Sequence, residues 1–239
     1  MDFELLSRQI RYLGEERQEK LDRAKVVVVG AGGLGSYVSQ MLIRCGVGFV
    51  RVIDRDLVDE SNLARVSVYT RDDLGKPKAF VVKEKFKKLN PGSRVDGIEE
   101  NLTYYNAKKL ISGFEVVVDC TDNMETRYEM NRFCFENRIP WVYGTVSRDE
   151  GFSSTFSPSG KPCFNCLYPR GTKSPGSPED SGVISPIVGM TASWQAMEVI
   201  KILTGLSRPN YGKLLRINLK TSGFDFLNVK QREDCEVCG

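Results

Sequence analysis

Two groups of residues in this sequence have types and spacings suited to chemistry. The first is the run Val26–Gly35, VVVVGAGGLG, where Gly30, Gly32 and Gly35 follow an apolar stretch and open a helical one. Glycines at such a junction let backbone N–H groups approach a polyphosphate. A helix starting there offers its partial positive charge to the same anion. Asp54 closes the next apolar run, Phe49–Ile53. A carboxylate at that strand end accepts hydrogen bonds from ribose hydroxyls. By itself the pattern specifies a nucleotide without saying which, and a glycine turn needed only for packing is its competing reading. The second group is a pair of CxxC units, Cys163–Cys166 and Cys235–Cys238. Two such knuckles supply the four thiolates of a tetrahedral Zn²⁺ and leave no open coordination position, so the predicted site is structural. A redox dithiol is the competing reading.

The charges beyond the glycine run favour a triphosphate. Arg65 in SNLAR and Lys78 in LGKPK follow Asp54 at loop or helix-start positions, and Asp122 and Asn123 follow an apolar strand in VVVDCTDN. Carboxyl-side strand ends converge on the ligand crevice of a parallel sheet. Two cations and an acid there suit ATP with Mg²⁺ better than a dinucleotide. Ordinary surface charge is the alternative for Arg65 and Lys78. No GxxxxGK[ST] run is present, which excludes a P-loop. The chain has no histidine, which removes the usual general base, the Ser/His/Asp triad and His-ligated metals. Of the remaining cysteines, Cys45 and Cys134 fall in helical stretches and are expected in the core, while Cys120, beside Asp119 and Asp122, is placed to touch the site.

These groups need a scaffold, and the apolar pattern supplies one. Strands at Val26–Val29, Phe49–Ile53, Val116–Val118 and Trp141–Val146 alternate with helices at Gly33–Arg44, Pro77–Leu89 and Glu125–Glu136. That alternation predicts an α/β fold, a Rossmann-like, mostly parallel sheet with helices on both faces. Ahead of it, Asp2–Arg23 reads as two helices broken at Gly14. After Gly151 comes a Gly, Pro and Ser-rich crossing loop over Arg170–Gly182, then a buried helix over Ile187–Leu203. Antiparallel strands at Lys213–Leu219 and Gly223–Val229 precede the last cysteines. With 239 residues a single domain is expected. It divides into a helical arm over 1–24, a nucleotide-binding half over 25–150, and a part with the crossing loop, the last antiparallel strands and zinc site over 151–239.

A net charge of +3 with both signs interspersed is not the footprint of a nucleic-acid or membrane binder. The uncharged run Val26–Ile43 is long enough to raise a membrane span, but its four glycines, Ser36, Ser39 and Gln40 fit a strand and helix instead. The first residues include Asp2, Glu4, Arg8 and Arg11, so no secretory signal is read and a cytoplasmic location is expected.

Taken together, SRQIRY, GAGGLG, the strand-end Asp54, SNLAR, LGKPK, DCTDN, PCFNC, QAMEVIK and the terminal CEVCG run in order over essentially the whole chain. In this the sequence resembles the MoeB/ThiF family, prokaryotic relatives of ubiquitin-activating enzymes. The resemblance implies adenylation of the C-terminal glycine of a small ubiquitin-like sulfur carrier ending in Gly-Gly, with release of pyrophosphate, for sulfur transfer to molybdopterin, thiamin or tRNA. It implies that Gly33 contacts the nucleotide, that Ser61, Asn62 and Arg65 line the phosphates or adenylate, that Lys78 neutralises the departing pyrophosphate, and that Asp122 holds Mg²⁺. It further implies a homodimer in which Arg8 reaches the partner's phosphates. Family members that link covalently to the carrier have a cysteine in the crossing loop. Arg170–Ile184 has Ser174, Ser177 and Ser181 but no cysteine, so the reading is an enzyme that stops at the adenylate and hands it to a separate sulfur donor, with Cys120 or Cys134 the remaining thiols for a covalent route. Competing functions are adenylation of a non-protein carboxylate such as one carried by tRNA, an NAD-dependent oxidoreductase, and a non-catalytic scaffold for a ubiquitin-like protein. The last two leave SNLAR, LGKPK or the charged site residues without a task.

Overall fold

A computed structural model describes residues 3–172 and 182–239. Parallel strands β1 (Lys25–Val29), β2 (Phe49–Ile53), β3 (Arg94–Ile98), β4 (Val116–Asp119) and β5 (Trp141–Ser147) are continued by antiparallel β6 (Glu150–Phe156), β7 (Lys213–Asn218) and β8 (Gly223–Asn228). Among the described residues they form one eight-stranded sheet in the order β3-β2-β1-β4-β5-β6-β7-β8. The helices are α1 (Ser7–Leu13), α2 (Glu15–Arg23), α3 (Gly33–Arg44), α4 (Lys78–Phe86), α5 (Tyr104–Ile111), α6 (Met124–Asn137), the short α7 (Phe164–Leu167) and α8 (Ser185–Thr204). None of the described helices is long and apolar enough to cross a membrane.

Strand periodicity sorts the core into two layers. Val26 and Val28 of β1 face one way, with Val38 and Leu42 of α3, Val82 of α4 and Val199 of α8. Val27 and Val29 face the other, with Ile111 of α5 and Met130 and Phe133 of α6. Because helices cover both faces, alternate positions are all apolar and the central strands read as unbroken valine runs. The chain leaves β1 toward one face and β4 toward the other. Strand order therefore reverses between these neighbours, and a crevice opens beyond their carboxyl ends.

A buried ion pair fixes the far lip of that crevice. Asp119, the last residue of β4, and Arg127, one turn into α6, are 0% and 1% exposed at the side chain. The Arg127 Nε donates to Asp119 Oδ2 at 2.9 Å, its Nη2 donates to the carbonyl of Thr121, and its guanidinium lies 5.0 Å from the Tyr143 ring centre. The other Asp119 oxygen accepts from the backbone N–H and hydroxyl of Thr121. Burial pushes the Asp119 carboxyl up, and Arg127 and Thr121 pull against that shift.

Four elements were not expected from the pattern: β3, α5, β6 and the short α7. β3 has the sequence RVDGI, and its Asp96 pairs with Arg51 of β2 at 3.3 Å. β6 lies where Ser153 and Ser154 suggested loop, but both hydroxyls are buried and donate to carbonyls, of Tyr143 at 2.8 Å and of Lys213 at 2.9 Å. Cys45 is not core: it caps α3 and is only half-buried, whereas Cys134 is buried as expected. The crossing loop lies for the most part in 173–181, outside the described residues. At the sheet's end, β8 leaves Phe224, Phe226 and Leu227 about half exposed, and Phe226 leans on Trp194 of α8.

Replacing Arg127 with Met is expected to strand a buried carboxylate and lower the unfolding free energy by about 3–5 kcal/mol in urea titrations. Asp119→Asn combined with Arg127→Met should cost clearly less than the sum of the two single changes.

Candidate active site

The crevice at the ends of β1 and β4 is an open cleft of about 1130 Å³, the solvent at its mouth included. Its floor is the glycine turn. Gly30 has φ +95, and a Cβ there would meet the Cys120 carbonyl oxygen at 2.5 Å; a Cβ on Gly35 would meet the Gly30 oxygen at 1.8 Å. These two glycines are thus required by packing against β4 and within the turn itself. Gly32 differs, because a Cβ on it would meet nothing within 4 Å. It stands at the N-cap of α3 with no side chain to cap the helix, so the first-turn N–H groups of α3 are open to an anion in the cleft. Gly33 lies under Val188 of α8.

Asp54 holds this turn in place. One carboxylate oxygen accepts from the Ala31 N–H at 2.6 Å and the other from the Asp56 N–H at 2.7 Å, while the Tyr69 hydroxyl donates to the Ala31 carbonyl at 2.7 Å. Burial pushes the Asp54 carboxyl up, and the Ala31 N–H and nearby Lys78 counteract it. The residue expected to meet a ribose is therefore also the brace of the glycine loop.

Gly30, Gly32, Gly33, Asp54, Asn62, Arg65, Lys78, Asp122 and Asn123 all line the cleft. Lys78, the first residue of α4 and buried, forms an ion pair with Asp56 at 3.1 Å, and its backbone N–H donates to the Asp56 carbonyl. Arg65 donates to the Ser61 carbonyl at 2.7 Å. The Asn62 side chain accepts from the Asp59 N–H, and that of Asn123 caps α6 through the N–H groups of Glu125 and Thr126. Three expected residues lie off the cleft wall. Gly35 is in the packing of the turn, and Ser61 belongs to the short turn Glu60–Asn62. Arg8 is exposed on α1, whose neighbour Gln9 donates to the Cys45 carbonyl at the far end of α3. With α3 about 18 Å long at 1.5 Å per residue, the arm docks well away from its own chain's cleft. Asp56, Asp119 and Arg127 were missed as site-builders. Asp119 opens the quoted DCTDN run, and an arginine one turn into the helix that follows is the signal that was there to be used.

Cys120 lines the cleft, as expected, with its sulfur 3.9 Å from Gln195 Oε1. Burial pushes the thiols of Cys120 and Cys134 well up, which leaves both poor nucleophiles.

The four knuckle cysteines come together as a buried cluster with all sulfurs within 4.8 Å of one another. Cys163 and Cys235 are 3.5 Å apart and Cys166 and Cys238 are 3.4 Å apart. A tetrahedral ion about 2.3 Å from each sulfur needs edges of about 3.8 Å, so the cluster fits a metal ion. Asn165, between the first pair, donates to Glu236, between the second, at 2.6 Å and accepts from Asn131 of α6 at 2.9 Å. The cluster thereby anchors the end of the chain to α6.

A family model described as the ThiF family matches residues 6–237. The sulfur carrier protein adenylyltransferase of Thermus thermophilus is 38% identical over 95% of this chain and 86% of its own length. The molybdopterin-synthase adenylyltransferase of Escherichia coli is 34% identical over 93% and 90%, and the sulfur carrier protein ThiS adenylyltransferase of the same organism 33% identical over 100% and 96%. Among solved structures, E. coli MccB crystallised with ATP superimposes with a TM-score of 0.86 at 26% identity, over 98% of this chain and 74% of that one.

Elemental analysis of the purified protein is expected to find one metal ion per chain. Cys238→Ser should lose it and melt at lower temperature, because metal binding contributes directly to folding.

Proposed function

The chain belongs to the ThiF family, and we propose that it is an adenylyltransferase that joins AMP to the C-terminal glycine carboxylate of a ubiquitin-like sulfur carrier ending in Gly-Gly. The observation that carries this reading is the cleft in which the uncapped N-terminus of α3, Arg65, Lys78 and Asp122 face one space. A dinucleotide would also use the helix N-terminus, but the two cations and the acid beside it suit a triphosphate with Mg²⁺ better.

In this reading the α3 N–H groups and Gly32 cradle phosphate, Asp54 takes the ribose, and Asn62 and Arg65 hold the phosphates or adenylate. Lys78 exchanges Asp56 for the pyrophosphate as charge builds on it. Asp122 holds Mg²⁺, which when bound shields the charge between phosphates. The attacking carboxylate is already ionised and needs no base, so the chemistry is positioning and charge neutralisation, and a chain without histidine can perform it. The four-cysteine cluster holds Zn²⁺, whose filled coordination confines it to a structural part. Because the arm lies far from its own cleft, Arg8 acts across a homodimer on the partner's phosphates. Residues 1–24, 25–150 and 151–239 serve as arm, nucleotide half and carrier-facing part of one adenylation domain. With no cysteine in the crossing loop, the adenylate passes to a separate sulfur donor.

Exchange of labelled pyrophosphate into ATP should depend on a carrier and vanish when its Gly-Gly end is deleted. Lys78→Ala and Asp122→Ala should each lower exchange about 10²-fold or more while the far-ultraviolet spectrum stays that of the parent. Exchange indifferent to the tail would rule out the carrier, and near-parental rates in both variants would rule out the cleft.

A further inference from the structure

The QAMEVIK stretch of α8 and the turn before it place three buried polar side chains, Thr191, Gln195 and Glu198, on the sheet side of a mostly apolar helix. Two of them only attach the helix. Thr191 fits against Gly151, where a Cβ would come within 2.0 Å of its hydroxyl. Glu198 accepts from Thr155 at 2.9 Å and from the Asn210 N–H at 2.7 Å. Gln195 does something else.

β4 pairs with β5 through Val117 and Val118 and no further, so the Asp119 carbonyl lies buried one residue past that ladder. A buried carbonyl needs a donor, and the Gln195 Nε2 supplies it at 2.7 Å. The amide fits because residue 144 is glycine: a Cβ there would lie 2.3 Å from Gln195 Cδ. On the other side, the Cys120 N–H donates to the Val29 carbonyl at 2.8 Å and the Cys120 carbonyl crowds Gly30. The backbone at 119–121 is therefore wedged between α8 and the glycine turn, immediately before Asp122. α8 also carries Val188 on the cleft wall.

We propose that Gln195 is a positioning residue, which by completing the hydrogen bonding of the β4 end from α8 sets where the Asp122 turn stands relative to the glycine loop. The proposal deepens the reading of the cleft as an ATP site and rests on it. Thr191 and Glu198 fix α8 on β6, so the Gln195 amide is a stationary reference that cannot follow the turn if the turn moves.

The test measures ATP binding by calorimetry over a range of Mg²⁺ concentrations, alongside carrier-dependent pyrophosphate exchange. Gln195→Met keeps length and removes the donor; Gln195→Asn keeps an amide one methylene short of the carbonyl and serves if the first variant does not fold. Either should raise the half-saturating Mg²⁺ concentration about tenfold, the equivalent of ~1.4 kcal/mol, and slow exchange. Thr191→Val, which keeps the branched shape packed on Gly151 and removes only a hydroxyl with no partner among the described residues, should leave the Mg²⁺ dependence at the parental value. Adding Gln195→Met to Asp122→Asn should change the Mg²⁺ dependence by less than about threefold beyond Asp122→Asn alone, since both act through one turn. A folded Gln195 variant with parental Mg²⁺ dependence, or full additivity with Asp122→Asn, would overturn the proposal. If the parent itself shows no carrier-dependent exchange, the carrier assignment fails while calorimetry still decides the role of Gln195.

Discussion

A buried charge pair governs this molecule: Asp119 and Arg127, with 2.9 Å between Oδ2 and Nε and almost no contact with water. Such a pair gains little over a well-packed apolar core, because desolvation offsets most of the attraction. It does restrict geometry. Each Asp119 oxygen is occupied and Arg127 reaches both Thr121 and Gly144, so the turn between β4 and α6 has one arrangement in which every buried group is satisfied. The glycine loop is then referenced to that turn through Gly30 against Cys120, and Asp54 ties the loop to the end of β2. Two strand ends and two helix starts are thus held in mutual register before any ligand arrives.

The electrostatics of the cleft follow the same logic of prior arrangement. Lys78 is already desolvated and already paired with Asp56, so a phosphate group would displace one anion by another rather than strip a hydrated ammonium. Asp54 is held between two N–H donors, which keeps a half-buried carboxylate oriented. Charged groups on fixed supports need little reorganisation when charge shifts during a reaction.

Much of this was legible from residue order. The valine runs, the glycines after the first of them and the acid ending the second locate the strands and the cleft, because burial on both faces forces uninterrupted apolar strands. The two CxxC pairs located the cysteine cluster. What escaped reading had physical reasons. β3 is a five-residue outer strand in which Gly97 takes a buried position and Ile98 falls on the face of Arg94 and Asp96, so the alternation is too short and weak to read. β6 satisfies Ser153 and Ser154 through carbonyls of neighbouring strands, partners no local pattern reveals. In the sequence Arg127 is one more helix charge, and Gln195 one more helix amide. Both acquire meaning only from the tertiary position of Asp119, which is distant from Gln195 in the chain and adjacent to it in space.

The outermost strand, β8, has a consequence for how the protein behaves in bulk. Among the described residues nothing hydrogen-bonds to its outer margin, and Phe224, Phe226 and Leu227 sit there half uncovered. A margin of that kind accepts a further strand from another polypeptide, whether a specific visitor or a second molecule of the same kind. Lys220, beyond one end, is paired with Asp149 at 3.5 Å, and Lys230, beyond the other, sets a like charge against a stacked copy. Because such repulsion is screened over about 10 Å in 0.1 M salt, that guard weakens as ionic strength rises.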